Sequence, residues 1–94
     1  MEKLDQVGNI EVYKGKNSII LYNTRKDFDS GHTHIKSQKY AKEMAENITQ
    51  KKRPDTHNLK LLNSYLRITK DKKYLKLIKE LIRARRKGKP RFYR

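Results

Sequence analysis

Apolar and polar residues alternate through Ile10-Glu11-Val12-Tyr13. The run Ser18-Ile19-Ile20-Leu21-Tyr22 is again β-branched and aromatic. Lys14-Gly15-Lys16-Asn17 separates the two with turn-forming residues, so residues 9–24 are predicted to form a β-hairpin. With Gly15 and Lys16 as a two-residue loop, Val12 pairs with Ile19 and Ile10 with Leu21. Those four share one face; Tyr13, Ile20 and Tyr22 take the other, beside Glu11. A lone hairpin is marginal in water and needs covering.

From residue 34 the period changes to that of a helix. Ile35, Tyr40, Ala41, Met44, Ala45 and Ile48 fall near one stripe, which predicts a helix over 34–49 with Thr33 or Ser37 as N-cap. Pro54 closes that segment. A second helix is predicted over 56–67 on Leu59, Leu61, Leu62, Tyr65 and Leu66. A third is predicted over 71–87, where Tyr74, Leu75, Ile78, Leu81 and Ile82 recur at helical spacing. Gly88 is placed to stop it and Pro90 to prevent a restart. Residues 24–33 read as a loop pinned to the core by Phe28. Residues 1–8 read as a flexible N-terminus and 88–94 as a basic tail, within which Lys89–Tyr93 could add a short third edge strand. The expected fold class is α+β: a hairpin packed on about three helices, as one small domain over 9–87.

Charge changes this picture more than composition does. The 94 residues carry a formal net charge of +15. Residues 1–50 hold eight basic and seven acidic side chains; residues 51–94 hold seventeen and three. One half is nearly neutral and the other a cation, which is the footprint of a polyanion-binding surface. Five of the eight arginines lie in the last twelve residues, with Phe92 and Tyr93 among them. Arginine offers a rigid fork for phosphate or a guanine edge, and aromatic rings stack on unpaired bases. The expected nucleic-acid-binding residues are therefore Lys51, Lys52, Arg53, Lys79, Arg83, Arg85, Arg86, Lys87, Lys89, Arg91, Phe92, Tyr93 and Arg94. RNA is favoured over DNA, because arginine-rich helices with flanking aromatics suit structured or single-stranded RNA.

Other chemistries are less well supplied. Asp27, Asp29, His32 and His34 lie close in sequence, and His32-Thr33-His34 would turn both rings to one side of an extended segment. Such groups beside cations would suit a small nuclease, but no metal-site spacing is matched, and loops gather Asp, Ser, Gly and His for turn formation. No metal or cofactor is expected. The absence of cysteine excludes disulfides and thiolate metal sites. With no apolar run long enough to cross a bilayer and no leader-like N-terminus, the expectation is a cytoplasmic protein without a membrane partner.

Apolar residues make up 34% of the chain, so the core must be thin, and a homodimer partner or bound nucleic acid would add stability. There is no zinc-finger spacing, Gly-rich phosphate loop or aromatic RNA-binding strand motif. The Lys and Asn bias has the general look of proteins from phages and mobile elements of AT-rich bacteria. An anti-defence inhibitor docking on a nucleoprotein complex is accordingly the alternative to direct nucleic-acid binding.

Overall fold

Four strands joined in chain order form an antiparallel sheet, two long helices cover one of its faces and a third packs on them, in a computed structural model that describes residues 2–88. The elements are β1 (Glu2–Val7), β2 (Ile10–Lys14), β3 (Ile19–Asn23), α1 (Phe28–Gly31), β4 (His32–Ile35), α2 (Gln38–Gln50), α3 (Leu59–Ile68) and α4 (Lys72–Gly88). The fold is α+β.

The predicted hairpin is present as β2 and β3, with a different register. Val12 faces Leu21, and Ile10 faces Asn23. The loop is Gly15–Ser18, closed by the Gly15 N–H donating to the Ser18 carbonyl at 2.8 Å. A slip of two residues keeps every side chain on its expected face, because strand side chains repeat every second residue. Ile10, Val12, Ile19 and Leu21 are accordingly buried together against the helices, while Tyr13, Ile20 and Tyr22 lie on the opposite face.

Two strands were not anticipated. Residues 2–7, expected to be flexible, pair with β2 as an edge strand. The register slips between Lys3 and Asp5, leaving Leu4 as an extra residue. That bulge lets Leu4 and Val7, three apart, both pack on the core. Gly8, at φ +59°, begins the two-residue turn into β2, a conformation that glycine adopts without penalty. The second is β4, which spans the boundary between the loop expected over 24–33 and the helix expected over 34–49. His32–Ile35 pairs with β3, Ile19 facing Ile35 and Tyr22 facing His32. Ile35 is thus a strand residue, and α2 starts at Gln38 from the Ser37 N-cap. The edge strand suggested for Lys89–Tyr93 lies outside the described residues.

Phe28 is a further correction. It begins α1, remains 41% exposed and lies on the sheet's open side instead of pinning the loop to the core. Tyr40 likewise leaves the α2 stripe and is 49% exposed. The buried line of α2 is Ala41, Met44 and Ala45, and its two alanines let the helix approach the sheet.

α3 packs on the inner sheet face through the cluster that holds Leu62, Tyr65 and Ile68, and Tyr74, Ile78 and Ile82 of α4 join the same core from the α3 side. The buried Asn23 closes the sheet end onto α3, its amide donating to the Ile68 carbonyl at 2.8 Å. α4 packs mainly on α3. The connecting segment between α2 and α3 runs along α4. Near one end the Tyr74 hydroxyl donates to the Lys52 carbonyl at 2.7 Å; further on, the Arg85 guanidinium donates to the His57 carbonyl at 3.0 Å. Tyr74 to Arg85 is about 16 Å of helix, and five extended residues cover about the same length. No helix among the described residues is long and apolar enough to cross a membrane.

Candidate nucleic-acid interface

α4 is fixed at its start before it presents any charge. Asp71 is its N-cap: the carboxylate accepts from the Tyr74 backbone N–H at 2.9 Å. That hydrogen bond, with the nearby Lys51 and Lys73 charges, holds the Asp71 carboxyl below the usual carboxylate range despite some desolvation. Where α3 meets α4, burial raises the Tyr65 and Tyr74 hydroxyls above the usual phenol range, with Tyr65 adding to the shift at Tyr74.

With Tyr74, Ile78 and Ile82 turned inward, the helical period dictates what faces out. Lys72, Lys76, Lys79, Arg83, Arg86 and Lys87 fall on one exposed stripe at spacings of four, three, four, three and one residues. The stripe is about 22 Å long. Lys79, Arg83, Arg86 and Lys87, with Ile82 between them, line a shallow groove. Glu80, the one acid of α4, sits at the stripe's edge. Among the described residues two ion pairs form, Lys3 with Glu11 at 3.3 Å and Lys51 with Asp71 at 3.7 Å, and neither involves the stripe. Like charges three or four residues apart repel by a few tenths of a kcal/mol per pair, so the arrangement is electrostatically costly in isolation. The last-turn cations Arg85, Arg86 and Lys87 offset part of this through the helix dipole.

Arg85 belongs to a different face. It lies on the apolar side of α4, half-buried, and its guanidinium holds the His57 carbonyl. Lys51 is the left-handed C-cap of α2, at φ 57°, and leans on Asp71. Lys52 and Arg53 line a cleft of about 530 Å³ between α2 and α3 that they share with Glu43, Glu46 and Asp55. These three residues therefore lie beside the N-terminal half of α4, among carboxylates, and do not extend the stripe. Lys89, Arg91, Phe92, Tyr93 and Arg94 lie outside the described residues.

The histidine cluster stands on the open sheet face. The Phe28 and His32 rings stack at 4.4 Å and 10°, Tyr22 meets Phe28 at 5.3 Å, and His32 meets His34 edge-on at 5.2 Å. His32 Nδ1 bonds to the Phe28 carbonyl, and His34 Nδ1 lies 2.9 Å from Ser18 Oγ. Asp27 and Asp29 take part through backbone carbonyls, which accept from Gly31 and from Arg67. No group of three or more metal-ligating side chains gathers among the described residues. Gly31 allows this packing: a Cβ there would stand 2.6 Å from Lys26 Cβ.

Sequence reasoning passed over a second basic group at this end of the sheet. Arg67, in the last turn of α3, donates to the His32 carbonyl at 2.7 Å and the Asp29 carbonyl at 2.6 Å. Lys26 donates to the Arg67 carbonyl at 2.7 Å and Lys70 to the Arg25 carbonyl at 2.9 Å. Nothing local in the sequence marks these four as neighbours, since about forty residues separate Arg25 and Lys26 from Arg67 and Lys70.

No protein-family model, curated protein or solved structure matches the chain.

Proposed function

We propose that the protein binds nucleic acid by laying the outer stripe of α4 along a phosphate backbone, RNA in preference to duplex DNA. The observation that carries this reading is the stripe itself: cations from Lys72 to Lys87 on one exposed helix face, outside both described ion pairs. Such a surface gains most from a ligand that releases condensed counterions as it is neutralised. The basic residues beyond Gly88 continue the charge in sequence. The preference for RNA rests on aromatic rings in the same chain that are suited to unpaired bases.

The test is the combined variant Arg83→Glu, Arg86→Glu and Lys87→Glu, which leaves the inward-facing Arg85 in place. All three side chains are exposed, so the circular dichroism spectrum should be unchanged. Binding to a labelled RNA hairpin is followed by fluorescence anisotropy across a potassium chloride series. The parent protein should lose affinity steeply with salt. In the variant, the slope of log K against log salt should flatten by about 2 to 3, from about 0.7–0.9 per phosphate contact. Undiminished affinity with an unchanged slope would refute the reading.

A further inference from the structure

The sheet face turned away from the helices has an organisation of its own. The strand registers set two rows across it: Lys3, Tyr13, Ile20 and His34 in one, and Gln6, Glu11, Tyr22 and His32 in the other. Phe28 caps the second row, stacked on His32 and tilted against Tyr22. Among the described residues no helix except the four-residue α1 lies on this side, and Phe28 keeps 41% of its surface in water. A large apolar ring, pre-stacked and still wet, lacks the cover that core packing would give it.

We propose that this open face is a stacking platform for an unpaired stretch of polynucleotide. The inference rests on the nucleic-acid reading above and adds the class of ligand: a strand whose bases are free of partners. Phe28 and His32, with Tyr22 and His34 beside them, offer π surfaces on which any base can stack. Arg67 and Lys26 at the rim suit the phosphates that connect such bases, with the exposed Asp27 and Asp29 on either side of Phe28 as the acids they must outweigh. Arg67 is held by two carbonyls, which orient the guanidinium without cancelling its charge, and its remaining N–H groups are available to an anion. Lys26 is anchored beside it, also on a carbonyl. Glu11, the acid within the two rows, is already offset: Tyr13 donates to it at 2.8 Å and Lys3 pairs with it at 3.3 Å. A base paired within a duplex keeps its faces stacked on its neighbours and has none to offer, so the platform discriminates against double strands. His32 and His34 thereby have a binding role that requires no bond cleavage.

The experiment compares a fluorescently labelled oligoadenylate, its deoxy counterpart and a short RNA duplex, each titrated with the parent protein and with Phe28→Ala, His32→Ala and Phe28→Trp. Phe28 is exposed, so its truncation opens no core cavity; unchanged thermal unfolding confirms that the fold is kept. The expected result is a loss of about fivefold or more in single-strand affinity for each alanine variant, the lower end of one base–aromatic stack. Duplex affinity should stay the same, and Phe28→Trp should retain binding. Oligoadenylate carrying 2-aminopurine should be quenched by the parent and not by Phe28→Ala. Comparing ribose and deoxyribose strands identifies which polymer the platform prefers. Equal losses on single strand and duplex, or none on either, would overturn the platform. If α4 charge reversal still abolishes binding in that case, the broader reading survives. A parent protein that binds none of the three probes would overturn both.

Discussion

Ile78 is the position at which the docking of α4 can be measured. It is fully buried between α4 and α3, in the same cluster as Leu62, Tyr65 and Ile68. Ile78→Ala removes three carbons, worth about 2.4 kcal/mol at roughly 0.8 kcal/mol per buried methylene. The cavity left behind brings the expected loss to about 3–4 kcal/mol, within the usual range for such truncations. A domain of this length is stable by about 5–14 kcal/mol in total, so the loss is a large share. The neighbouring Leu77, half-buried on the same helix, should lose about 1 kcal/mol on truncation to alanine. Urea unfolding followed by far-ultraviolet circular dichroism separates the two. With a slope of about 1 to 1.5 kcal/mol per molar urea, Ile78→Ala should lower the midpoint by about 2–4 M and Leu77→Ala by less than about 1 M. Midpoints that fall equally would show that α4 is not seated through the Tyr74, Ile78 and Ile82 line. The outward orientation of the basic stripe would then lose its physical basis.

Three other expectations follow from particular contacts. Asn23→Ala should cost about 1–3 kcal/mol, because it orphans the buried Ile68 carbonyl as well as the Arg25 N–H that the Asn23 side chain accepts at 3.0 Å; a thermal midpoint equal to that of the parent would contradict this. Gly31→Ala should displace α1 from Lys26, and the chemical shifts of the Phe28 and His32 rings should move while those of α4 stay in place. Stability should fall as pH rises above about 10: unfolded tyrosines ionise there, whereas buried Tyr65 and Tyr74 are held neutral in the folded state, their raised values making the contribution present below the unfolded value and lost above it. Tyr74→Phe should weaken that alkaline dependence in urea midpoints measured across the range, and an unaltered dependence would rule out its cause.

Local periodicity made several features legible in advance. Helical spacing of Tyr74, Ile78 and Ile82 decides which side of α4 is apolar; it places Lys79, Arg83, Arg86 and Lys87 of the expected binding set on the outer stripe, adds Lys72 and Lys76, which that set omits, and turns Arg85 to the apolar side. Strand parity assigned the hairpin's two faces correctly even though its register was two residues off. β1 leaves little trace in the sequence because the bulge at Leu4 breaks its alternation, and Gly8-Asn9 is its one turn signal. β4 is four residues long, and His32-Thr33-His34-Ile35 carries too little hydrophobic pattern to be told from a loop or helix start.

By itself the sequence determined the charge asymmetry, the helical stripe of cations and the two-faced hairpin, because each depends on residues within a few turns or a few positions of one another. Only the tertiary structure decided that Arg85 closes on the His57 carbonyl, that Arg67 and Lys26 meet beside His32, and that Phe28 lies on an open sheet face instead of in the core. Those outcomes depend on carbonyls and ring surfaces supplied from up to 41 residues away, and a one-dimensional pattern carries no information about which distant groups will close around a given side chain.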